Sequence, residues 1–229
     1  KHENVESAYS YVTGQEIIKY KGENRSVLIF GYGADAPKVE KLDIGEGRFY
    51  TEEEETSASL VIVLGYELKE NLFGDNDAIS KTVYVKNLPF KVVGVAKKRG
   101  GSLSMSLDSI AYIPTITMQK KILGTDYVLG AAIKVKDVSK LDETKDDIIY
   151  IMREEHDIKN PEREDDFEVM TMVEAIGMIN NVVNGINALL IALALISLVV
   201  GGVGIMNIMY VSVTERIFEI GLRMSIGAK

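Results

Sequence analysis

The chain has 229 residues, a formal net charge of −8 and 46% hydrophobic residues, which allows one large or two small domains with an apolar core. The lack of cysteine excludes a disulfide framework, thiolate catalysis and cysteine-ligated metals. The acidic balance, 34 Asp and Glu against 26 Lys and Arg, gives no support to nucleic-acid binding, which needs a concentrated basic face.

The first third of the chain alternates apolar runs with turn residues. Continuous apolar runs bounded by Gly, Asp and Pro are typical of buried strands. The predicted elements, in chain order, are a strand at 26–31, a short helix at 36–42, an acidic loop or first helical turn at 51–56, a strand at 60–65 and a helix at 66–73.

The region from 81 to 170 continues the mixed pattern. A hairpin is predicted from strands at 81–85 and 90–96, joined across Asn87-Leu88-Pro89. The elements that follow are a Gly- and Ser-rich loop at 97–109, a strand at 110–114, a helix at 116–123, a strand at 130–135, an amphipathic helix at 140–155 and a short strand at 167–170. Strands and helices in this order predict an α+β domain.

Residues 175–214 form a run of 40 residues without a charged side chain. Its most apolar part, 189–211, contains thirteen Leu, Ile or Val residues. Roughly 20 apolar residues suffice to cross a hydrocarbon core about 30 Å thick. The alternative is a buried helix of a soluble domain, which predicts about 10–14 apolar residues with a polar stripe. The length favours a membrane-spanning helix.

The uncharged run is preceded by Thr171 and Glu174, which have the spacing of a capping box. A helix of 40 residues is about 60 Å long, twice the thickness of the membrane core, so half of it is expected to project as a stalk. Asn180, Asn184 and Asn187 share one face of this stalk, which is predicted to be solvated.

The charges that flank the uncharged run predict its orientation. Residues 1–174 hold 23 Lys and Arg against 32 Asp and Glu, a balance of −9, whereas residues 215–229 hold 3 against 2, a balance of +1. The positive-inside rule therefore predicts a cytoplasmic C-terminal tail and a large extracytoplasmic domain in the cell membrane. Because the chain starts at Lys1 with no apolar stretch long enough for an export signal, we expect a membrane helix to precede it.

Residue types used in metal binding are present but do not form a motif. His2 and His156 are far apart and are predicted at the surface. The sequence from Asp75 begins like a calcium loop, but its twelfth position is Lys86 instead of Glu, so a solvated turn is predicted. The acidic clusters at 52–55 and 162–166 are predicted to be solvated faces.

Nucleotide-binding motifs are also missing from the sequence. Gly202-Val203-Gly204 mimics part of a dinucleotide fingerprint, but it lies in the apolar run and has Asn207 in place of the third glycine. No Gly-x-x-x-x-Gly-Lys-Ser/Thr sequence occurs, so the chain has no P-loop for ATP phosphates. We therefore predict no catalytic, cofactor-binding or metal-binding residues.

Specific motifs occur at the end of the uncharged run and in the tail. They are GGVGIMNIM at 201–209, VSVTER at 211–216, EIG at 219–221 and IGAK at 226–229. This stretch resembles the second membrane helix and the following cytoplasmic segment of MacB/FtsX-type ABC transporter permeases.

The soluble part resembles the extracytoplasmic core domain of the same family, in order and spacing. The matching motifs are EGRFY at 46–50, LGYE at 64–67, LFG at 72–74, PFKVVGV at 89–95 and YIP at 112–114. The sequence departs from the family pattern at Ala78 and Ser80, where Pro and Gly are expected, and this puts the turn geometry there in doubt.

The resemblance implies a domain organisation. It implies an extracytoplasmic MacB-type core domain at 1–172, with a βαβ-type, porter-like part from both ends and an inserted β-rich part at about 51–114. A stalk and transmembrane helix at 173–213 and a cytoplasmic coupling segment at 214–229 follow. Permeases of this family have four membrane helices, of which the first, third and fourth are missing from this sequence.

The resemblance also implies partners. The family works as dimers with separate or fused ATP-hydrolysing domains, so an ABC ATPase subunit and a second copy of the permease are expected. Membrane lipid and an adaptor or another extracytoplasmic protein are further expected partners, whereas nucleic acid is not.

The tail is predicted to form a helix at 214–225 with two stripes. Ile217, Ile220 and Met224 form the apolar stripe, and Arg216, Glu219 and Arg223 form the polar stripe. Glu219 and Arg223 also have the spacing of an ion pair. Composition leaves a surface helix at the lipid headgroups equally open. The resemblance implies instead an ATPase-contacting coupling helix, whose coupling residues are Glu215, Arg216, Glu219 and Arg223.

Small residues in the apolar run predict a helix-packing site. Ser197 and Gly201 have small-xxx-small spacing, and Gly202 and Gly204 also remove side-chain bulk. The alternative is the ordinary enrichment of glycine in membrane helices.

The sequence as a whole predicts a non-enzymatic permease subunit of an ABC-type transporter. Movement of the coupling helix by cytoplasmic ATPase domains would pass along the stalk to the extracytoplasmic domain and drive substrate export, a mechanotransmission mechanism typical of efflux. The alternative is an FtsX-like regulatory subunit that controls an extracytoplasmic protein such as a cell-wall hydrolase.

Overall fold

The structure, a computed structural model, describes residues 3–102, 105–158 and 165–227. The chain divides into unit 1, residues 1–144, and unit 2, residues 145–229. Three predicted features lie outside the described residues: His2, residues 162–164 of the second acidic cluster, and the last two residues of the tail motif at 228–229.

Unit 1 contains an eight-stranded mixed sheet, which confirms the α+β prediction. Its strands are β1 (Val5–Tyr20), β2 (Glu23–Tyr32), β3 (Ile44–Gly47), β4 (Val61–Leu64), β5 (Thr82–Val85), β6 (Leu88–Ala96), β9 (Ala111–Pro114) and β10 (Gly130–Val135). Two short strands, β7 (Gly101–Ser102) and β8 (Met105–Ser106), form a separate antiparallel pair. The spatial order is β10-β1-β2-β9-β4-β6-β3, with β5 paired to β1 and β6. β2 runs parallel to β9 and β4 parallel to β6, whereas the other pairs are antiparallel.

The helices of unit 1 lie between the strands in sequence. They are α1 (Ala36–Glu40), α2 (Glu52–Thr56), α3 (Tyr66–Phe73) and α4 (Thr115–Thr117), which continues as a π-helix (Met118–Leu123). A 3₁₀ turn (Val138–Lys140) leads into α5 (Leu141–Glu155), and the boundary between the units falls within α5. The acidic segment at 51–56 is a helix because Thr51 and Glu54 form a capping box at its start.

The core of unit 1 consists of two clusters on opposite faces of the sheet. Alternate residues of β4 separate them: Ile62 and Leu64 belong to one cluster, and Val61 and Val63 to the other. All four side chains are buried, because the sheet is covered on both faces at this strand. This explains why β4 is a continuous apolar run in the sequence.

β1 is the longest strand, and it was not predicted. Its first half pairs with β10, up to Tyr11, and its second half pairs with β2 from Tyr11 to Tyr20. Only a few of its side chains, among them Val12 and Ile18, enter the core, and polar residues occupy half of the other positions. The strand is stabilised by long-range pairing, which no local apolar pattern reveals.

The turn of the hairpin begins one residue earlier in the chain than the predicted turn at 87–89. Lys86 and Asn87 have φ values of 48° and 63°, and Val85 pairs with Leu88, so a two-residue turn joins β5 to β6. Positive φ at both central residues is typical of the type I′ turn that matches strand twist. Pro89 therefore lies inside β6, opposite Tyr84.

The strand predicted at 167–170 is absent from this described part of the chain. Side chains of the segment contact the end of α5 instead. Asp165 bonds to Arg153, and the ring of Phe167 packs edge-on against His156 at a centroid distance of 5.4 Å. No neighbouring strand supplies backbone partners there, so the prediction was wrong.

Strands from the predicted inserted part, 51–114, share one sheet with strands from both ends of unit 1. β9 pairs with β2 in parallel, and β5 pairs with β1. The limits of the inserted part remain a prediction.

Unit 2 contains α6 (Met172–Ser225), a continuous helix of 54 residues. At about 1.5 Å per residue such a helix is about 80 Å long. None of its side chains is buried, which is not the environment of a core helix. Among the described residues α6 is the single helix that is long and apolar enough to cross a membrane. Its capping box of Thr171 and Glu174 confirms the predicted start.

Candidate coupling helix and its anchorage

The predicted coupling residues lie in the last three turns of α6. Arg216 Nη1 lies 4.0 Å from Glu219 Oε2, an i,i+3 ion pair between side chains that are 78% and 57% exposed. Glu219 thus pairs with Arg216, although the sequence predicts a pair with Arg223. Glu215 and Arg223 lie on the same exposed stretch. An exposed pair of this kind contributes little stability, so the polar stripe is available for other contacts.

The apolar side of the same turns is broader than predicted. Ile217, Ile220 and Met224 are exposed, as are Phe218 and Leu222, which the sequence analysis did not select. At 100° per residue, Phe218 and Leu222 extend the apolar surface on the side of α6 away from Ile220. The helical period already contained this signal. The predicted apolar stripe is therefore one part of a wide apolar surface, and the polar stripe borders that surface.

In the described part of the chain, the space beside the predicted packing glycines is open. A Cβ atom built on Gly201, Gly202 or Gly204 would meet nothing within 4 Å. Ser197 Oγ donates to the carbonyl oxygen of Leu193 at 2.9 Å, so its hydroxyl is satisfied inside the helix. A satisfied hydroxyl suits a bilayer, which offers no hydrogen-bond partner. Close packing against another helix remains a prediction.

The first turn of α6 is fixed by the carboxylate of Glu174. Its Oε2 accepts the backbone N–H of Thr171 at 2.8 Å, and Thr171 Oγ1 accepts the N–H of Glu174 at 3.1 Å. Its Oε1 accepts Lys145 Nζ of α5 at 2.6 Å. Hydrogen bonds from Lys145 and from the Thr171 backbone lower the pKa of Glu174 to about 2. This carboxylate is therefore ionised at neutral pH.

A second set of contacts in unit 2 joins Asp165 and Asp166 to the end of α5. Arg153 donates from Nε and Nη2 to the two carboxylate oxygens of Asp165, at 2.8 and 2.9 Å. His156 Nδ1 lies 2.7 Å from Asp166 Oδ1. Planar bidentate pairs restrict orientation as well as distance, so this set holds Asp165 and Asp166 against the end of α5. His156 is exposed, as predicted.

In unit 1 the start of α5 is tied to the start of β1. The Asn4 side-chain amide donates to Thr144 Oγ1 at 2.8 Å and to the Asp137 carbonyl oxygen at 3.1 Å, and Asn4 Oδ1 accepts the Asp137 N–H at 3.0 Å. Thr144 Oγ1 in turn donates to the Lys140 carbonyl oxygen at 2.7 Å. Asn4 and Thr144 are 8% and 1% exposed, so these bonds are shielded from water.

A cluster of tyrosines lies on one face of the sheet in unit 1. The rings of Tyr9 and Tyr112 lie 4.9 and 5.4 Å from that of Tyr32, and the Tyr9 hydroxyl donates to Glu40 Oε1 at 2.6 Å. Burial raises the pKa of Tyr112 to about 12 and raises the pKa of Tyr9 further. These phenols are neutral at physiological pH, and their contacts stabilise the sheet and α1.

In the part of the chain that the structure describes, no three His, Asp or Glu side chains gather as metal ligands. The sequence model of one family, described as MacB-like periplasmic core domain, matches residues 1–151. The chain belongs to this family.

A named relative agrees with membership of the MacB-like family, and two solved structures share the fold. Macrolide export ATP-binding/permease protein MacB from Bdellovibrio bacteriovorus is 34% identical over 95% of this chain and 33% of its own length. The periplasmic region of MacB from Actinobacillus actinomycetemcomitans has a TM-score of 0.67 and 22% identity, over 79% of this chain and 78% of that one. The extracellular domain of the noncanonic ABC-type transporter YknZ, from Gram-positive bacteria, has a TM-score of 0.59 and 19% identity, over 67% and 78%.

The chain spans about a third (33%) of the length of the MacB relative it matches. The two solved structures share its fold. Together, the MacB-like periplasmic domain and the apolar α6 point to a membrane protein with an extracytoplasmic domain.

Close backbone contacts explain two glycines in the MacB-like motifs. Gly47 in β3 pairs with Gly94 in β6. A Cβ on Gly94 would lie 2.2 Å from the Arg48 carbonyl oxygen, and one on Gly47 would lie 2.3 Å from that of Val93. Backbone atoms cannot move aside as a flexible side chain can, so both positions require glycine.

The turn at Ser80, where the sequence departs from the MacB-like pattern, contains a residue in the left-handed region. Ser80 has a φ of 63°, in the left-handed region where glycine is favoured. Its N–H donates to the Val92 carbonyl oxygen at 2.8 Å, and the Lys81 N–H donates to that of Ala78 at 3.1 Å. The turn is formed with serine at a glycine-like position.

Proposed function

We propose that the chain is part of a permease subunit of an ABC-type transporter, in which ATP-driven movement of the end of α6 is passed to the extracytoplasmic domain for substrate export. The observation that carries the proposal is the continuity of α6 over 54 residues, from a capped start through the apolar run to the polar stripe. α6 contains no proline, a common cause of sharp kinks, so a displacement at one end can be passed along the continuous helix to the other.

The end of α6 supplies the proposed contact with a cytoplasmic ATPase. It offers a wide exposed apolar surface beside the ion pair of Arg216 and Glu219. Apolar area surrounded by charge is typical of protein interfaces, and the name of the Bdellovibrio relative joins ATP-binding and permease functions. In this proposal the cytoplasmic ATPase hydrolyses ATP, and the permease acts as a dimer.

The test uses the full-length protein with its ATPase partner in lipid. Labels on Asp75→Cys, in an exposed turn of unit 1, and on Ser225→Cys, at the end of α6, report the distance between domain and tail. We expect this distance to change during ATP turnover and to stay constant with a hydrolysis-deficient ATPase. A distance that is constant under turnover would overturn mechanotransmission.

A second arm tests the coupling contact itself. Ile220→Asp places a charge in the exposed apolar surface, and we expect loss of ATPase co-purification together with loss of the distance change. Ile220→Leu keeps the apolar surface and is the matched control. If Ile220→Asp binds and responds like the wild type, the end of α6 is not the coupling contact.

A further inference from the structure

Two consecutive residues of α5 make contacts with distant parts of the chain. Thr144 accepts the Asn4 amide at the start of β1, 140 residues away in sequence. Lys145, the next residue, donates to Glu174 in the first turn of α6, 29 residues away. Neither contact is needed to form α5, whose backbone hydrogen bonds are local.

Glu174 divides its two carboxylate oxygens between two tasks. Oε2 closes the capping box with Thr171, whereas Oε1 takes the Lys145 ammonium. Because the box already holds the carboxylate in place, the ion pair needs less ordering of Glu174 than a free surface pair does. The Lys145 side chain is 22% exposed, so its stem is largely packed and its direction is restricted.

From this arrangement we propose that the ion pair between Lys145 and Glu174, named here the clasp, positions the first turn of α6 on α5 and passes movement of α6 to α5. The inference rests on the proposed function, because the clasp is the proposed point at which movement of α6 is transferred to the rest of the extracytoplasmic part. Lys145 is then a positioning residue, and the bidentate pair of Arg153 with Asp165 is a second contact between α5 and a residue that precedes α6.

The clasp is partly solvated, which sets the size of its effect. The Glu174 side chain is 46% exposed, and the atoms are 2.6 Å apart. Pairs with this exposure change an equilibrium by about two- to five-fold and weaken as salt is added. The clasp therefore adjusts the efficiency of coupling and leaves ATP hydrolysis itself intact.

Two substitutions remove the clasp without removing the helix cap. Lys145→Met keeps the length of the stem and loses the charge. Glu174→Gln keeps an oxygen for the Thr171 N–H, as glutamine does in capping boxes, and presents an amide to Lys145. Lys145→Arg restores a cation. Lys134→Met is the matched control, because Lys134 forms a 2.8 Å surface pair with Glu6 in unit 1, with side chains 38% and 45% exposed.

The experiment uses the full-length protein and its ATPase partner in lipid, with labels on Tyr150→Cys of α5 and Met178→Cys of α6, both exposed. For the wild type we expect a narrow distance distribution that does not change with ATP. For Lys145→Met and Glu174→Gln we expect a broader distribution and a domain-to-tail response about two- to five-fold smaller, with an unchanged ATPase rate. The double variant should be no worse than either single variant.

Salt and rescue separate a positioning role from general damage. Raising the ionic strength from about 0.05 M to about 0.5 M should reduce the wild-type response and leave that of Lys145→Met unchanged. Lys145→Arg should restore the response, and Lys134→Met should match the wild type. If the wild type responds to ATP and the clasp variants respond equally, the clasp inference is wrong and the proposed function stands. If the wild type gives no domain-to-tail response, both are wrong.

Discussion

At the scale of single residues, Ser80 occupies a conformation that glycine adopts without strain, at a φ of 63°. We predict that Ser80→Gly raises the free energy of unfolding by about 0.5–1 kcal/mol, because relief of the left-handed strain exceeds the entropy that glycine adds to the unfolded chain. Denaturant unfolding of the protein in detergent measures the change. Ser80→Ala keeps the Cβ and should give no gain; an equal gain would place the effect in the hydroxyl instead of the backbone.

The lowered pKa of Glu174 predicts that the stability of the start of α6 depends on pH. Its pKa is lowered from 4.5 to about 2, so its contribution is complete above pH 4.5 and is lost as the pH falls towards 2. We expect the helical signal and the unfolding free energy to decrease over this range. Glu174→Gln cannot ionise, so the decrease should be smaller in that variant. An identical acid profile would show that other carboxylates cause it.

At the scale of elements, the pairing of β3 with β6 depends on glycine. We predict that Gly94→Ala lowers the free energy of unfolding by about 1–3 kcal/mol, because its Cβ meets the Arg48 carbonyl oxygen at 2.2 Å. Gly45→Ala, in the neighbouring strand β3, is the matched control: the atom nearest to its Cβ is a Lys97 side-chain carbon at 3.3 Å. Thermal unfolding compares the two. Equal losses would mean that alanine in this region is harmful for another reason.

The sequence predicted those elements whose pattern of apolar residues follows directly from which side chains are buried. β4 and α3 were found close to their observed limits, because a covered strand is continuously apolar and α3 has a helical period. β1 was missed because its stability comes from pairing with β2 and β10, which a local pattern does not contain. The turn at Lys86 was missed because neither Lys86 nor Asn87 is the glycine usually found at positive φ.

The candidate site divides in the same way. The start of α6 and the order of its stripes follow from spacing along one helix, which the sequence displays. The contacts of Asn4 with Thr144 and of Lys145 with Glu174 join residues far apart in sequence, so no spacing indicates them. A single sequence shows which residues share each face of a helix. The residues that those faces contact are known only once the fold is known.

At the scale of the whole molecule, the charges flanking the apolar run predict opposite locations for the domain and the tail. Because the 229 residues contain no cysteine, single cysteines at Asp75 and Ser225 give a clean test once any others in the full-length protein are replaced. In intact cells, Asp75→Cys should react with a membrane-impermeant maleimide, and Ser225→Cys should react only after the cell membrane is opened. The reason is the excess of Lys and Arg on the tail side of the run. Reaction of Ser225→Cys in intact cells would place the end of α6 outside, where no cytoplasmic ATPase can reach it, and the coupling proposal would then fail with the topology.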